Sequence, residues 1–455
     1  MTQNNDTIAA VATPQGSGGL GVVRISGKDA FLVADKVFRA KNGKKLSEIP
    51  GYTALFGKVF RNDEPLDEAV ALVFRAPKSY TGEDVVELSV HGGNYLVREA
   101  LRAVLNAGAR VAFGGEFTRR AYENGKMDLM EAEAVMNLIS ADGEKARRAA
   151  LSLHEGAASA EVQKIRSALL TAAAGLAVFS DYPDDELPEF SEETLMGTLN
   201  EAENGLSALL KNYDAGKVLR EGVDTVIAGR PNVGKSTLMN LLSGCRRSIV
   251  TAIAGTTRDV VEDTVRLGDI TLRLSDTAGL RNTPDEIERL GVEISREKIQ
   301  SATLLLAVFD LSRPADEEDL ALLNECRHRP SVVIYNKSDL TPEFDTSLGD
   351  GLYSITVCAE DGGSLALFEK AVATVCGTEH LSGSETLLCS ERQHDCCRRA
   401  MDYVKEAKRL LKSGYTLDTV GVCLDDAINE LLSLTGERVQ NAVVDEVFRK
   451  FCVGK

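Results

Sequence analysis

Gly229-Arg230-Pro231-Asn232-Val233-Gly234-Lys235-Ser236-Thr237 has the spacing G-x-x-x-x-G-K-[ST] of a loop that cradles phosphates. Before it, Val223-Asp224-Thr225-Val226-Ile227-Ala228 reads as a buried strand, and after it residues 236–242 have the apolar spacing of a helix. In that context the glycines admit backbone N–H groups to the anion at a helix N-terminus, Lys235 reaches the β and γ phosphates, and the Ser236 hydroxyl ligates Mg²⁺.

Further stretches follow in the order a guanine-nucleotide switch requires. Thr251-Ala252-Ile253-Ala254-Gly255-Thr256-Thr257-Arg258-Asp259 supplies a mobile threonine, with Thr257 expected on Mg²⁺. Asp276-Thr277-Ala278-Gly279 ends a predicted strand over residues 270–275; its aspartate can hold Mg²⁺ through water and its glycine N–H can sense the γ-phosphate. Asn336-Lys337-Ser338-Asp339 follows the strand-like Val332-Val333-Ile334-Tyr335, and the Asp339 carboxylate can accept from guanine N1–H and the 2-amino group, which adenine does not offer. A last base-contacting turn is assigned to Cys358 and Ala359 in Val357-Cys358-Ala359, where such turns usually carry Ser at the position of Cys358.

Position 280 departs from the Ras-like pattern. The glutamine that orients the attacking water is replaced by Leu280, which cannot do so, so hydrolysis needs another polar group and another positive charge. Asn232 can offer an amide oxygen to a monovalent cation, and the carbonyls of Thr251 and Ile253 with the Thr256 hydroxyl can complete an all-oxygen cage for K⁺, in the place of an arginine finger.

These motifs need elements to carry them, and 455 residues give room for about three domains. Residues 1–120 are strand-rich with one helix predicted near 95–107, a compact α+β domain. Within it Gly16-x-Gly18-x-x-Gly21 fits the dinucleotide fingerprint, but a β-type run follows where a helix is required, so it reads as a glycine turn. From residue 127 to 217 the spacing is helical, interrupted at Asp181-Tyr182-Pro183-Asp184-Asp185-Glu186-Leu187-Pro188, and residues 385–450 return to it. The reading is therefore multidomain α/β plus α: an α+β N-terminal domain at 1–122, a helical bundle at 123–219 and 378–455, and a Ras-like P-loop domain inserted at 220–377.

Composition narrows the partners and the compartment. The formal net charge is −17, yet residues 1–120 hold 16 basic against 13 acidic side chains, so any RNA contact is local. Nine scattered cysteines and five histidines show no zinc spacing, which suits a reducing cytosol and buried thiols. The N-terminus lacks a basic n-region and no uninterrupted apolar run reaches 18 residues, so a cytoplasmic protein without a membrane span is expected. The terminal Cys452-Val453-Gly454-Lys455 fits a prenylation box badly.

With Asn232, the Gly255-Thr256-Thr257-Arg258-Asp259 run and Leu280, the P-loop domain resembles the potassium-dependent GTPases related to the tRNA-modification GTPase family MnmE, also called TrmE. The resemblance extends from end to end, through Asp6-Thr7-Ile8-Ala9-Ala10-x-Ala12-Thr13-Pro14, Gly18-Gly19-x-Gly21, Arg24-Ile25-Ser26-Gly27, Tyr80-Thr81-Gly82-Glu83-Asp84, His91-Gly92-Gly93 and Phe451-Cys452-Val453-Gly454-Lys455, with Val453 where the family usually has Ile. It implies an N-terminal domain that dimerises and binds 5-formyl- or methylene-tetrahydrofolate. It further implies an FAD-containing partner, MnmG (GidA), in a heterotetramer or larger assembly that modifies C5 of the wobble uridine of certain tRNAs with aminomethyl or carboxymethylaminomethyl groups. By matching motifs, folate contacts fall on Arg24, Glu87, Lys126 and Lys455; Cys452 is the tRNA-modification thiol candidate, beside the reading of a packed thiol; and Glu288 stands at the catalytic glutamate. The competing reading is a GTP-switched ribosome- or RNA-assembly factor, which needs neither a folate-type N-terminal domain nor the terminal motif.

Overall fold

The computed structural model describes residues 6–181, 191–244, 263–274, 300, 302–383 and 385–454. The chain forms two compact units, Met1–Met136 with Asn429–Lys455, and Asn137–Ile428.

In the first unit, period-two alternation builds a seven-stranded sheet of β1 (Ile8–Val11), β2 (Leu20–Ser26), β3 (Phe38–Ala40), β4 (Thr53–Arg61), β5 (Glu64–Phe74), β6 (Val85–His91) and β7 (Arg110–Val111). Their order is β3-β4-β5-β6-β2-β1-β7, antiparallel except where β1 meets β7. Inward residues such as Val23, Ile25, Val86 and Leu88 pack against Phe31 of α1 (Ala30–Val37) and Val97, Ala100 and Val104 of α2 (Asn94–Asn106). Ile8 and Ala10 form a smaller core with Ala112 and with Phe117 of α3 (Glu116–Glu123). Each fully buried side chain of this size contributes about 1.5–3 kcal/mol. A strand, not a helix, follows Gly16–Gly21, as a glycine turn requires.

The boundaries between units fall inside α4 (Leu129–Ser140) and α13 (Leu417–Thr435). Asn429–Lys455 clusters with the N-terminal sheet although its sequence continues helical, because Val444 and Phe448 of α14 (Asn441–Arg449) and Phe451 are buried with Leu129, Ala132 and Val135.

The second unit carries a six-stranded sheet of β8 (Val223–Ala228), β9 (Asp263–Leu267), β10 (Ile270–Leu274), β11 (Leu304–Asp310), β12 (Ser331–Asn336) and β13 (Ser354–Thr356). The order is β13-β12-β11-β8-β10-β9, parallel except for the β9–β10 hairpin. Every residue of β11 and β12 is buried, as expected of a parallel sheet covered on both faces by α9 (Lys235–Ser243), α10 (Glu317–Cys326) and α11 (Leu365–Val375). Its helical part comprises α5 (Glu144–His154), α6 (Ala157–Asp181), α7 (Glu192–Lys211), α8 (Tyr213–Glu221) and α12 (Glu391–Lys412), where Cys397, Ala400, Met401, Val404, Ala407 and Leu411 supply the apolar stripe. Lys408 of α12 pairs with Glu203 of α7.

One sequence expectation needs qualification. Residues 157–179 of α6 are long and apolar enough to cross a membrane by length and composition, with a mean hydropathy of 1.2. Alanine makes the window apolar without a run of large side chains, and Val162, Ile165, Leu169 and Leu176 are buried within the unit.

Candidate functional site

Parallel strands send their carboxyl ends to one edge of a sheet, and ligands bind in open α/β sheets outside that edge. The loop after β8, the turn after β12 and the turn after β13 converge there. Asn336, buried at the end of β12, donates from Nδ2 to the Val233 carbonyl at 2.9 Å and accepts from the Ala359 amide at 2.9 Å. One side chain thus ties the phosphate loop to both base-facing turns. The close approach explains Gly234: its φ is +101°, and a Cβ there would stand 2.1 Å from Asn336 Nδ2.

Gly234 also caps α9, so the first-turn N–H groups face the loop. Lys235 donates to the carbonyls of Gly229 at 2.7 Å and Arg230 at 2.6 Å, and burial lowers its pKa. Ser236 is exposed and Thr237 half-buried in the same turn; the Ser236 hydroxyl has no hydrogen-bond partner among the described residues, which suits a Mg²⁺ ligand. Asn232 is exposed at φ +66°, in the left-handed region that asparagine tolerates better than most residues. Its side chain is therefore open to a ligand.

On the base side, the Ser338 amide donates to the Val357 carbonyl at 3.2 Å, and the Asp339 carboxylate is exposed without a partner among the described residues. Cys358 is half-buried. The Ala359 amide, expected to face the base, is engaged by Asn336 in this arrangement.

A second polar cluster lies on the N-terminal sheet. Arg24 and Glu87 are cross-strand neighbours on β2 and β6, joined at 2.8 Å. The Arg24 guanidinium stands 5.8 Å from the Tyr80 ring centroid and 5.6 Å from that of Phe117, and it donates to the Gly454 carbonyl at 3.2 Å. The C-terminal tail is held in place by a bridge between Val453 and Gly114 and by the Gly115 amide donating to the Cys452 carbonyl at 3.2 Å. Gly454 has φ +97°, and a Cβ on it would stand 2.3 Å from the Val11 carbonyl, so only glycine lets the tail lie this close. Cys452 is exposed. Lys126 donates to the Pro77 carbonyl at 3.2 Å.

Thr251, Ala252, Ile253, Ala254, Gly255, Thr256, Thr257, Asp276, Thr277, Ala278, Gly279, Leu280, Glu288 and Lys455 lie outside the described residues.

Comparison with known proteins gives two family matches: the MnmE helical domain over residues 129–452 and the GTP-binding protein TrmE N-terminus over residues 7–126. The tRNA modification GTPase MnmE of Symbiobacterium thermophilum is 42% identical over 99% of each chain. The chain belongs to the MnmE family. The member from Carboxydothermus hydrogenoformans is 38% identical, again over 99% of each chain. Among solved structures, the G domain of the T. maritima FeoB iron transporter covers 34% of this chain and 98% of its own, at 22% identity and a TM-score of 0.26.

In this MnmE-family chain the structure shows contacts that motif reading does not give. Tyr80, between β5 and β6, and Phe117 of α3 both come near the Arg24 guanidinium although they are far apart in the chain. Arg230, inside the phosphate loop, pairs with Asp316 and with Glu318 at 3.0 Å at the start of α10. Asp310 meets Lys337 at 2.6 Å. The only sequence signal of Asp310 is position: it ends an apolar strand of the parallel sheet, where binding residues gather.

Proposed function

We propose that the protein is a potassium-activated GTPase of tRNA modification. With an FAD-dependent partner of the MnmG type, it couples GTP hydrolysis and a tetrahydrofolate one-carbon unit to modification of C5 of the wobble uridine in certain tRNAs, as a cytoplasmic homodimer. In this reading residues 1–122 bind folate and dimerise, 123–219 and 378–455 form the helical domain, and 220–377 form the G domain.

The observation that carries the GTPase reading is the double bridge of Asn336, which brings phosphate loop and base-facing turns to one place. Losing it would leave the Val233 carbonyl and Ala359 amide unpaired, at about 1–3 kcal/mol each. Ser236 with Thr257 would hold Mg²⁺. Asn232, with Thr251, Ile253 and Thr256, would hold K⁺ against the charge of the transferring phosphoryl group, and Glu288 would act on the attacking water. The Arg24–Glu87 pair, with the Tyr80 and Phe117 rings near the Arg24 guanidinium, suits a ligand with a flat donor–acceptor ring, and Lys126 and Lys455 would serve its anionic tail. An assembly factor has no use for such a cluster.

The test is nucleoside analysis of tRNA from cells lacking the protein, complemented with wild type or Lys235→Ala. Loss of the C5-substituted wobble uridine, restored by wild type and not by Lys235→Ala, is the expected result. An unchanged nucleoside profile in the deletion strain overturns the reading.

A further inference from the structure

We propose that Asp310 is a positioning residue of the guanine subsite, acting by holding the Lys337 ammonium so that its stem forms a fixed shelf beside the base.

The sheet brings the two together. β11 and β12 run parallel with Asp310 opposite Asn336, so the last residue of one strand stands beside the start of the Asn336–Asp339 turn. The Asp310 side chain is 9% exposed, and Oδ2 lies 2.6 Å from Lys337 Nζ. Oδ1 accepts from the Ser312 amide at 3.0 Å and its hydroxyl at 2.7 Å. Both carboxylate oxygens are therefore occupied, and Asp310 acts through Lys337 without touching the nucleotide. Burial works to raise the Asp310 pKa, but the Lys337 ammonium and the Ser312 donors outweigh it, so the group stays ionised at neutral pH.

Lys337 is fixed at its other end as well. Its backbone sits at φ +65°, directly after Asn336, which is bonded on both sides. A lysine stem has four rotatable carbons, and with backbone and ammonium both anchored it has little freedom left to lose when a nucleotide arrives. Neutralising the ammonium with a carboxylate also leaves the methylene stem as the part offered to a flat aromatic base. The same loop that follows Asp310 continues through Arg313, which meets Asp316 at 3.4 Å and Asp319 at 3.0 Å, and Asp316 in turn pairs with Arg230 of the phosphate loop. The loop after Asp310 thus leads to a charged group that grips the phosphate loop.

This inference rests on the reading of Asn336–Asp339 as the guanine subsite. The experiment uses the full-length protein and a fluorescent GDP analogue, comparing wild type, Asp310→Asn, Lys337→Ala and the double variant by equilibrium titration and stopped-flow release. Asp310→Asn should weaken GDP at least tenfold, mainly through faster release, while keeping the preference for guanine over xanthine nucleotides. The double variant should bind no worse than Lys337→Ala alone. Unchanged affinity in Asp310→Asn, or effects that multiply in the double variant, would overturn the proposal. Melting profiles of Asp310→Asn matching wild type separate positioning from loss of fold; a global destabilisation that accounts for the weakened binding also overturns it. A wild-type protein that fails to bind the GDP analogue removes the guanine subsite itself, a different outcome from either.

Discussion

Asp339 has an exposed carboxylate and no partner among the described residues, while its neighbour Asn336 is buried and bonded on both sides. The division of labour is physical: one residue is held still by the protein, the other is left open to a ligand. If Asp339 accepts from N1–H and the 2-amino group of guanine, Asp339→Asn replaces one acceptor by a donor. Preference should then move from GTP toward xanthosine triphosphate, with GTP affinity lower by about 1–3 kcal/mol. Competition titration of the two nucleotides checks this, and equal GTP affinity in wild type and variant removes the assignment. Both residues are legible in the sequence because the contacts of a base-reading turn are made within four consecutive positions. Asp310 is not, since only the register of two parallel strands places it beside Lys337.

At the scale of elements, α3 is held to the N-terminal sheet by charge as well as by Phe117. Arg120 is almost fully buried and bonds Asp6 at 2.8 Å, Glu83 at 3.1 Å and Glu116 at 3.1 Å; Arg110 bonds Asp6 and Glu116, each at 2.6 Å. Arg120 and Glu116 are the buried members, and removing one of them leaves an uncompensated charge. Hydrogen bonding from Arg110 first, against the opposing effect of burial, lowers the Asp6 pKa below 3.8. For Glu116 burial pushes upward, and Arg110 with the Phe113 amide prevails to lower it below 4.5. Carboxyls depressed in the folded state stabilise above their unfolded values, and that contribution is lost as pH falls through the folded ones. Hydrogen exchange of the α3 segment should therefore show wild type better protected than Glu116→Gln near pH 6, with the difference fading below pH 4.5. A difference that stays constant across this range would contradict the account. The sequence reading gives residues 1–120 a helix near 95–107 and does not show α3; the pairing of Asp6, Glu83, Arg110 and Arg120 depends on strand order, which no local pattern encodes. The same holds for the C-terminal tail, whose motif is readable but whose docking against Gly114 and Gly115 is not.

Over the whole molecule, one chain carries a nucleotide site at the carboxyl edge of the parallel sheet and a polar cluster at Arg24. The order of motifs along the chain, the helical stretches on both sides of the P-loop domain and the strand-rich start are all visible in the sequence, since each follows from periodicity and contiguous motifs. The grouping of Asn429–Lys455 with the N-terminal sheet is not, because a helical pattern says which face is apolar and not what covers it. What unites the proposed function is its dependence on an external cation. Leu280 cannot orient water, and Asn232 stands exposed in the phosphate loop at φ +66°. The most direct measurement is steady-state GTP hydrolysis by the full-length protein with Mg²⁺, in K⁺ and in Na⁺ at matched ionic strength, for wild type and Asn232→Ala. Wild type is expected to turn over on the order of tenfold faster in K⁺, about 1.4 kcal/mol of transition-state stabilisation, and Asn232→Ala to lose the difference while still binding GTP through Lys235 and the loop amides. Equal turnover in the two cations by the wild-type protein would contradict the dependence on an external cation.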